Sequence, residues 1–288
     1  MPAKSVFTVI GGDKRLYFLA QELLKTGPVI CCAAVEVPQG AVRADSLREA
    51  FQAGDILLFP VPFTRDGETI PAAAPISIQE AVKEIRKEHR YVFGGKLPEQ
   101  LKARCRELNV PFFDWLELES VALPNAILTA EGAILEALQA HASLCRTRAA
   151  VLGYGRCGKA LAARLRGLCT ETVVFARNPL QRAEAEMQCI PAEPLEALSG
   201  SMSMGQYGLL FNTIPSMVMS GEMCSRLSPG AVILDLASGA LEQHMDTAAI
   251  RSAGARAALC PGLPGKYFPE EAGRILARAV LTELNASA

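Results

Sequence analysis

The sequence has little of what marks a nucleic-acid-binding, membrane or metal-rich protein. Of its 288 residues only three are histidine and one is tryptophan, and 29 basic residues nearly balance 30 acidic ones. A formal net charge of −1 gives no electrostatic footprint for nucleic acid or for an anionic membrane. No run approaches the roughly 20 consecutive apolar residues of a membrane span. We therefore expect neither a nucleic-acid nor a membrane partner.

The cysteines also lack a pattern. They are nine in number, scattered along the chain, and show neither CxxC nor Cys/His ligand spacing. A disulfide framework and a zinc site are therefore disfavoured, and we predict no bound metal. The segment 1–10 leads directly into a strand-like run, without the apolar stretch and cleavage site of a signal peptide. Together these features predict a cytoplasmic protein.

What the sequence does have is apolar runs that alternate with helical patterns in both halves. Half of the residues are hydrophobic, and the length is a soft prior for two domains. Strands separated by helices of this length indicate βαβ units on a parallel sheet. We predict an α/β fold with two Rossmann-like, doubly wound parallel-sheet domains joined by a long connector helix. The predicted strands are 5–10, 29–35, 55–59, 91–94 and 111–113, then 149–152, 172–176, 208–212, 231–236 and 255–260.

The domain boundary is predicted at Pro124-Asn125, which interrupts the pattern before a helix-forming segment over 126–144. We assign a substrate domain to 1–124 and an NADP-binding domain, including the connector helix, to 125–269. A final helix over 270–288 could pack back on the first domain.

The most informative motif is GxGxxG, formed by Gly153, Gly155 and Gly158. It directly follows a predicted strand and opens a helix. The first glycine permits a tight turn, the second lets a pyrophosphate approach, and the third allows close packing of helix on strand, while the helix N-terminus attracts anions. This context predicts dinucleotide binding. The alternatives are a turn that binds no nucleotide and one that binds another adenosyl ligand.

The end of the next predicted strand favours NADP(H) over NAD(H). NAD binders place an Asp or Glu there, whereas this chain continues from Ala176 into Arg177-Asn178, with Arg182 further on. A guanidinium can bind a 2′-phosphate bidentately. The alternative is a solvated arginine that begins a helix.

Later strand ends should face the same cofactor, because ligands of open α/β sheets bind beyond the carboxyl ends of the strands. The segment 261–265 has two prolines and two glycines, and is predicted to be a rigid loop at the nicotinamide end, or else an ordinary connection to the last helix. The predicted cofactor-binding residues are Gly153, Tyr154, Gly155, Arg156, Cys157, Gly158, Ala176, Arg177, Asn178, Asn212, Thr213, Ile214, Pro215, Asp235, Leu236, Ala237, Ser238, Pro261, Gly262, Leu263 and Pro264.

Two further residue types have no assigned chemistry. Cys157 lies at a predicted helix N-terminus, where a thiolate would be stabilised, but a small side chain beneath a phosphate is the simpler interpretation. The histidines, His89, His141 and His244, gain no catalytic role from their spacing.

Taken in order, the motifs resemble those of the dipicolinate synthase A-subunit family, which makes pyridine-2,6-dicarboxylate during bacterial sporulation. The resemblance covers nearly the whole chain and is weaker in the first domain than in the second. It is carried by 9–13 with Arg15, Pro60-Val61, 129–132, the glycine turn, 212–217, 233–238 and 261–265.

The resemblance implies an NADP-dependent oxidoreductase that converts dihydrodipicolinate, from a branch of the lysine/diaminopimelate pathway, to dipicolinate. It also implies that the partner is a flavoprotein-like B subunit and that the location is the mother-cell cytoplasm. Homo-oligomers are common for this fold class. The alternatives are a dehydrogenase of a hydroxy or amino acid, and an NADP(H)-binding scaffold that catalyses nothing.

The substrate implied by the resemblance is a cyclic dianion, which requires cationic or N–H-rich surroundings. We predict that Arg15 binds a carboxylate and that Asp13 either orients it or caps a helix. Thr64 and Thr129 could donate to carboxylate oxygens, and Glu131 could be a base or complete a helix start. Lys266 is a further cation or a solvated side chain. The predicted catalytic set is Arg15, Asp13, Thr64, Thr129, Glu131 and Ser238.

Overall fold

The structure, a computed structural model, describes residues 5–140, 143–200 and 204–286. The chain forms two compact units, one of Met1–Asn125 with Tyr267–Ala288 and the other of Ala126–Lys266. Parts of the predicted connector (141–142, with His141) and of the predicted last helix (287–288) lie outside the described residues. The assignment of substrate to one unit and NADP to the other stays a prediction.

The first unit is built on a parallel sheet with a small separate hairpin. Its strands are β1 (Phe7–Ile10), β2 (Val29–Cys32), β3 (Val42–Ala44), β4 (Ile56–Leu58), β5 (Thr69–Ile70), β6 (Ile76–Ser77), β7 (Tyr91–Gly94) and β8 (Phe112–Asp114). Its helices are α1 (Lys14–Leu23), α2 (Leu47–Ala53), α3 (Ile78–Glu84), α4 (Glu99–Leu108), the start of α5 (Glu119–Ala140) and, after the second unit, α11 (Pro269–Ala286).

The second unit repeats this plan. Its strands are β9 (Arg148–Leu152), β10 (Glu171–Phe175), β11 (Ala192–Glu193), β12 (Leu209–Asn212), β13 (Val232–Asp235) and β14 (Arg256–Leu259). Its helices are the remainder of α5, then α6 (Arg156–Leu165), α7 (Pro179–Met187), α8 (Gly221–Cys224), α9 (Thr247–Ser252) and α10 (Leu263–Tyr267), which ends at the unit boundary.

The strand orders are β3-β2-β1-β4-β7-β8 and β11-β10-β9-β12-β13-β14. Both have the order 3-2-1-4-5-6 of doubly wound nucleotide-binding folds. All pairings in these two sheets are parallel. Every residue of β1, β4, β12 and β13 is buried, as expected for strands covered by helices on both faces. The predicted α/β class with two Rossmann-like sheets is therefore confirmed.

Several short elements were not predicted. Strand β3 is largely exposed, and β5, β6 and β11 have two residues each, so none forms an apolar run that a sequence pattern could reveal. The predicted rigid loop 261–265 is also different: Pro261 and Gly262 form a turn, and a short helix begins at Leu263.

The connector helix begins earlier than predicted. Helix α5 starts at Glu119 and contains Pro124, which was expected to precede it. Proline cannot donate to the helix ladder and destabilises a helix interior by about 3 kcal/mol. The first turn is held by burial of Val121 and Ala122, whose N–H groups donate to the carbonyl of Leu118. Tertiary packing here outweighs the proline.

Helix α5 is long and apolar enough to cross a membrane by length and composition alone, a test that core helices of soluble proteins also pass. Its interior carboxylates are paired within the second unit. Glu131 lies 3.3 Å from a guanidinium nitrogen of Arg164, and Glu136 lies 2.5 Å from Nζ of Lys266. These ion pairs and the buried alanines of α5 are typical of a helix packed in a globular unit.

Within the first unit, α11 packs closely on α1. A Cβ added at Gly273 would lie 2.5 Å from the carbonyl oxygen of Arg15 and 2.7 Å from Cβ of Phe18. The glycine therefore sets the distance at which the two helices meet.

Candidate functional site

The glycine turn of the second unit joins the carboxyl end of β9 to α6. Gly153 has φ +96°, a conformation that favours glycine, and its N–H donates to the carbonyl of Phe175 on the neighbouring strand. A Cβ at Gly158 would lie 2.2 Å from the carbonyl oxygen of Gly153, so α6 can pack this closely on the turn only with glycine there. These geometries are the ones that the first and third glycines of the motif require.

The middle glycine is different, because the space beside it is open. Gly155 is the N-cap of α6, and a Cβ there would meet no described atom within 4 Å. The first N–H groups of a helix lack intrahelical partners and carry partial positive charge. The turn therefore leaves an approach to backbone donors for an anionic ligand, and its residues fit the pyrophosphate of a dinucleotide.

The end of β10 carries the cationic residues predicted to read the cofactor. Arg177 is exposed, and Asn178 caps α7 by accepting from the N–H of Leu180 at 2.9 Å. The guanidinium of Arg182 donates to the carbonyls of Ala176 and Arg177, at 2.8 Å each. Arg182 thus fixes the segment that follows the strand, and Arg177 in that segment is exposed.

Two predicted cofactor residues have side chains that point into the core. Asn212 and Asp235 face each other in register at the ends of β12 and β13, and both are fully buried. Nδ2 of Asn212 donates to Oδ1 of Asp235 at 2.9 Å, while its Oδ1 accepts from the N–H of Ile214. These side chains hold the turns that follow the strands, so any role in cofactor binding passes through those turns.

A third member of this network was not assigned from the sequence. Nδ1 of His244 lies 2.6 Å from Oδ2 of Asp235, and the imidazole is 1% exposed. His244 follows a short 3₁₀ helix over Leu241–Gln243. A histidine nine positions after a strand-ending aspartate is visible in the sequence, but the loop that brings it back is not.

Some of the other predicted turn residues are buried, and the rest are half-buried or exposed. Thr213 donates from Oγ1 to the carbonyl of Leu152 at 2.9 Å, and so ties β12 to the glycine turn. Ser238 is exposed. Leu263 and Pro264 are buried in the short helix α10. The remaining members, Ile214, Pro215, Leu236, Ala237, Pro261 and Gly262, lie in turns with half-buried or exposed residues.

The residues predicted near the start of the connector helix contact other parts of the second unit. Burial raises the pKa of the Cys157 thiol, although a hydrogen bond with Thr129 and the charge of Arg156 act in the opposite direction. Cys157 is therefore a thiol rather than a thiolate. Glu131, a candidate base, is paired with Arg164.

In the first unit, the carboxylate of Asp13 both caps α1 and binds Arg15. It accepts from the Arg15 N–H at 3.0 Å, and a guanidinium nitrogen of Arg15 lies 2.7 Å from its Oδ2. The Arg15 side chain, 11% exposed, also donates to the carbonyl of Val61. Both alternatives considered for Asp13 are thus present together. Thr64 is engaged locally, with Asp66 and the N–H of Gly67.

A cavity of about 270 Å³ lies beside this turn, within the first unit. Arg15 does not line it; Arg15 borders a small crevice with Leu116 and α11 instead. The cations at the cavity are Lys14 and Arg65, which the sequence did not single out. Its other lining residues are Val9, Gly11, Gly12, Asp13, Leu16, Tyr17, Cys31, Ala34, Val35, Glu36, Pro60, Val61, Pro62, Pro71 and Ala72.

Within the described ranges, no group of three or more His, Cys, Asp or Glu side chains could hold a metal ion. All nine cysteines are free, and most are buried.

Known proteins resemble the chain along its whole length. The family of the dipicolinate synthase A-subunit N-terminal domain matches residues 6–116. The dipicolinate synthase A subunit of Bacillus subtilis (strain 168) is 30% identical over 289 residues, which cover 96% of this chain and 94% of that protein. The crystal structure of the Bacillus subtilis protein superposes with a TM-score of 0.85 at 26% identity, covering 100% of this chain and 99% of that one. The crystal structure of the corresponding protein from Bacillus halodurans gives 0.86 at 24% identity, with 99% of both chains covered.

Proposed function

The chain belongs to the dipicolinate synthase A-subunit family, and we propose that it oxidises dihydrodipicolinate to dipicolinate with NADP as oxidant. The observation that carries the cofactor part is the turn at Gly153–Gly158: the N-cap of its helix is a glycine, which has no side chain, and an exposed arginine lies two residues beyond the end of the next strand. When bound, the nicotinamide would supply a hydride acceptor.

The residues of the second unit have separate roles in this proposal. The backbone of Gly153 and Gly155 and the first N–H groups of α6 hold the pyrophosphate. Arg177 binds the 2′-phosphate, since the segment 176–182 contains no carboxylate that would repel it. Arg182 positions Arg177 through its two carbonyl hydrogen bonds. Ser238 and the turn at Pro261-Gly262 border the nicotinamide end.

The substrate-side proposal assigns a carboxylate of the ring to Arg15. Asp13 and the Val61 carbonyl fix its guanidinium in one orientation, and a preorganised cation loses little entropy on binding. Because the oxidation makes the ring aromatic, the protein mainly has to orient the ring and remove a proton. Thr129 would contribute a donor, whereas the hydroxyl of Thr64 already donates to Asp66. Glu131, the proposed base, is paired with Arg164.

The biological setting follows from the family. We propose that the partner is a flavoprotein-like B subunit, that the protein acts in the mother-cell cytoplasm during sporulation, and that it forms a homo-oligomer. The Bacillus subtilis relative is one subunit of dipicolinate synthase, which supports a second kind of subunit in that enzyme.

The direct test mixes the purified protein with NADP and freshly generated dihydrodipicolinate, with and without the proposed partner, and follows NADPH absorbance. We expect NADPH to accumulate with dipicolinate. No rise in either condition would overturn the proposal. Turnover of a simple hydroxy or amino acid instead would favour the second enzyme class, and tight NADPH binding without turnover of any candidate would favour a scaffold.

The cofactor assignment is tested by Arg177→Ala. Loss of charge-assisted hydrogen bonds worth about 1.5–3 kcal/mol should raise the Kd for NADP by 10- to 100-fold and leave the Kd for NAD unchanged. Arg251→Ala, which removes an exposed arginine from the end of α9, is the matched control and should change neither. Equal losses for NADP and NAD in Arg177→Ala would contradict a 2′-phosphate contact.

A further inference from the structure

The buried carboxylate of Asp235 is surrounded by donors. Its Oδ1 accepts from Nδ2 of Asn212 at 2.9 Å and from the N–H of Ala237 at 3.1 Å, and its Oδ2 lies 2.6 Å from Nδ1 of His244. A carboxylate can be ionised in a protein interior when several donors replace its hydration. Asp235 has contacts of this kind to Asn212, Ala237 and His244.

The orientation of the Asn212 amide follows from its own contacts. Its Oδ1 accepts from the N–H of Ile214 at 3.0 Å, so Nδ2 is the end that faces Asp235. Oδ1 of Asp235 is thus an acceptor, and with Asp235 ionised the short contact of Oδ2 to His244 places the proton on Nδ1. In the neutral imidazole the lone pair then lies on Nε2.

That nitrogen lies beside a residue without a side chain. A Cβ built on Gly239 would lie 3.1 Å from Nε2 of His244 and 2.6 Å from Oε1 of Gln243. Gly239 is exposed and has φ +130°, which favours glycine. Among the residues that the structure describes, no hydrogen bond to Nε2 is found. The exposed residue Gly239 and the side chain of Gln243 therefore lie next to this acceptor, and the absence of a side chain at Gly239 leaves room beside it.

The network lies at the functional edge of the second sheet. Asp235 is in register with Asn212, which is in register with Leu152, the residue that precedes the glycine turn. The carboxyl edge of a doubly wound sheet is where ligands bind. A basic nitrogen held by a carboxylate at this edge has the arrangement of a proton acceptor whose tautomer is set by a buried acid.

We propose that His244 is the proton relay of the reaction, positioned by Asp235, an inference that rests on the proposed function. In the oxidation one ring C–H bond breaks with its electron pair and leaves as hydride to the NADP oxidant. A second hydrogen leaves the ring as a proton, and an N–H bond forms at Nε2 of His244. The ring becomes aromatic, the imidazolium is stabilised by ionised Asp235, and the proton then passes to solvent.

Three other titratable groups lie on the same segment as His244 or on the neighbouring strand. On its own segment, Asp246 is engaged as the cap of α9 through the N–H of Ala249, and Glu242 is exposed. From β14, Cys260 adjoins the Asp235 backbone, and burial raises its thiol pKa to about 11, so it is neutral. A general base must be unprotonated to accept a proton, so this role predicts a rate that falls on the acid side of the pH profile.

The test compares two buried histidines. His244→Gln should lower kcat by about 100-fold or more at neutral pH, the range of a lost general base, and should abolish the acid limb, while NADPH affinity stays within about twofold. His89→Gln is the control, because His89 is also buried but bonds the Phe51 carbonyl and the Arg86 N–H in the first unit. It should leave the acid limb in place.

A readout independent of turnover is NMR of protein labelled with ¹⁵N-histidine. The imidazole signals are assigned from their loss in His244→Gln and His89→Gln. The proposal requires the Nδ1–H tautomer of His244 in the wild type and its loss in Asp235→Asn. Three results would overturn the proposal: an Nε2–H tautomer in the wild type, an acid limb that persists in His244→Gln, or a fall in NADPH affinity in His244→Gln as large as the fall in kcat. Each would mean that His244 only holds the loop in place. Wild-type protein that makes no NADPH would overturn the proposed function and the proton assignment with it, whereas a correct tautomer with an unaffected pH profile would overturn the relay alone.

Discussion

The glycine turns of the two units follow the same plan up to the start of their helices. In each, a buried strand ends, at Ile10 or Leu152, and a ten-residue helix begins four positions later, at Lys14 or Arg156. The flanking sheets have the same strand order. Backbone topology alone would therefore assign the same ligand to both turns.

The two turns differ in the residue that caps the helix that follows. In the first unit the cap is Asp13, whose carboxylate accepts from the helix N–H at Arg15 and pairs with the Arg15 guanidinium. The chain thus places its own anion where a phosphate would bind. In the second unit the cap is Gly155, which supplies no side chain. One helix N-terminus is capped by a side chain of its own chain, whereas no side chain caps the other.

The two turns also differ at the position of the third glycine of the motif. Gly158 lets α6 approach the Gly153 carbonyl, whereas the equivalent residue of the first unit is Leu16, which packs over Gly12. A Cβ on Gly12 would lie 2.5 Å from Cδ1 of Leu16, so the leucine covers the turn. The first turn is consequently covered by a side chain, whereas the second is open beside its middle glycine. Under the proposed function, two side chains rather than the fold distinguish the turn that binds the dinucleotide from the one that does not.

The difference between the two turns is tested most directly by placing an aspartate, the N-cap of the first turn, at the N-cap of the second. Gly155→Asp should leave the fold intact, since no described atom lies within 4 Å of the new Cβ, and should stabilise the protein by a few tenths of a kcal/mol through capping. NADPH affinity should fall about 100-fold, as two charge-assisted hydrogen bonds of about 1.5 kcal/mol each are lost. Calorimetric titration measures the Kd.

The control for this substitution is Gly155→Asn, which caps equally well but carries no charge. It should lose less NADPH affinity than Gly155→Asp. If the aspartate variant binds NADPH as tightly as the wild type, the uncapped helix N-terminus is not the pyrophosphate site.

The next largest effect is expected at the third position. Gly158→Ala places a Cβ 2.2 Å from a backbone oxygen that cannot rotate away, so α6 has to shift. Overpacking of this kind costs about 1–3 kcal/mol of unfolding free energy, and the shift should also weaken NADPH binding. Urea denaturation measures the first and titration the second. Gly167→Ala, just after α6 with no neighbour within 4 Å, should leave both unchanged; equal behaviour of the two variants would show that close packing is not required.

Much of this comparison could be predicted from the sequence. The central strands are apolar runs bounded by turn residues, so their number and parallel arrangement followed from the pattern, as did the glycine turn. Strand β3 was missed because it is short and largely exposed. The start of α5 was missed because burial of Val121 and Ala122 outweighs a proline rule.

The site was less predictable, because its contacts join residues far apart in sequence. Glu131 pairs with Arg164 across 33 positions, and His244 returns to Asp235 through an irregular loop. The sequence also placed Arg15 near a ligand without indicating that Lys14 and Arg65 line the adjacent cavity. Motifs identify which turn matters, whereas the direction of a side chain depends on packing that no local pattern encodes.

The smallest expected effect tests the internal anion of the first unit. Asp13→Asn keeps a good N-cap but removes the charge facing Arg15, and should cost up to about 1 kcal/mol at pH 7, because the pair is partly exposed. Burial opposes ionisation of Asp13, but the hydrogen bonds and charge of Arg15 prevail and hold its pKa below 3.8. Because the pKa of Asp13 is lower in the folded than in the unfolded protein, its charge stabilises the fold only above the unfolded-state pKa. The difference in unfolding free energy between wild type and Asp13→Asn (the gap) should therefore be complete at about pH 5–7, roughly one unit or more above the unfolded-state pKa, and should shrink as the pH falls below it. Thermal melts across this range measure the gap, and Asp13→Ala, which also removes the cap, should cost about 1 kcal/mol more. A gap that is constant with pH would mean that Asp13 acts as a cap alone, and the contrast with Gly155 would then rest on hydrogen bonding rather than on charge.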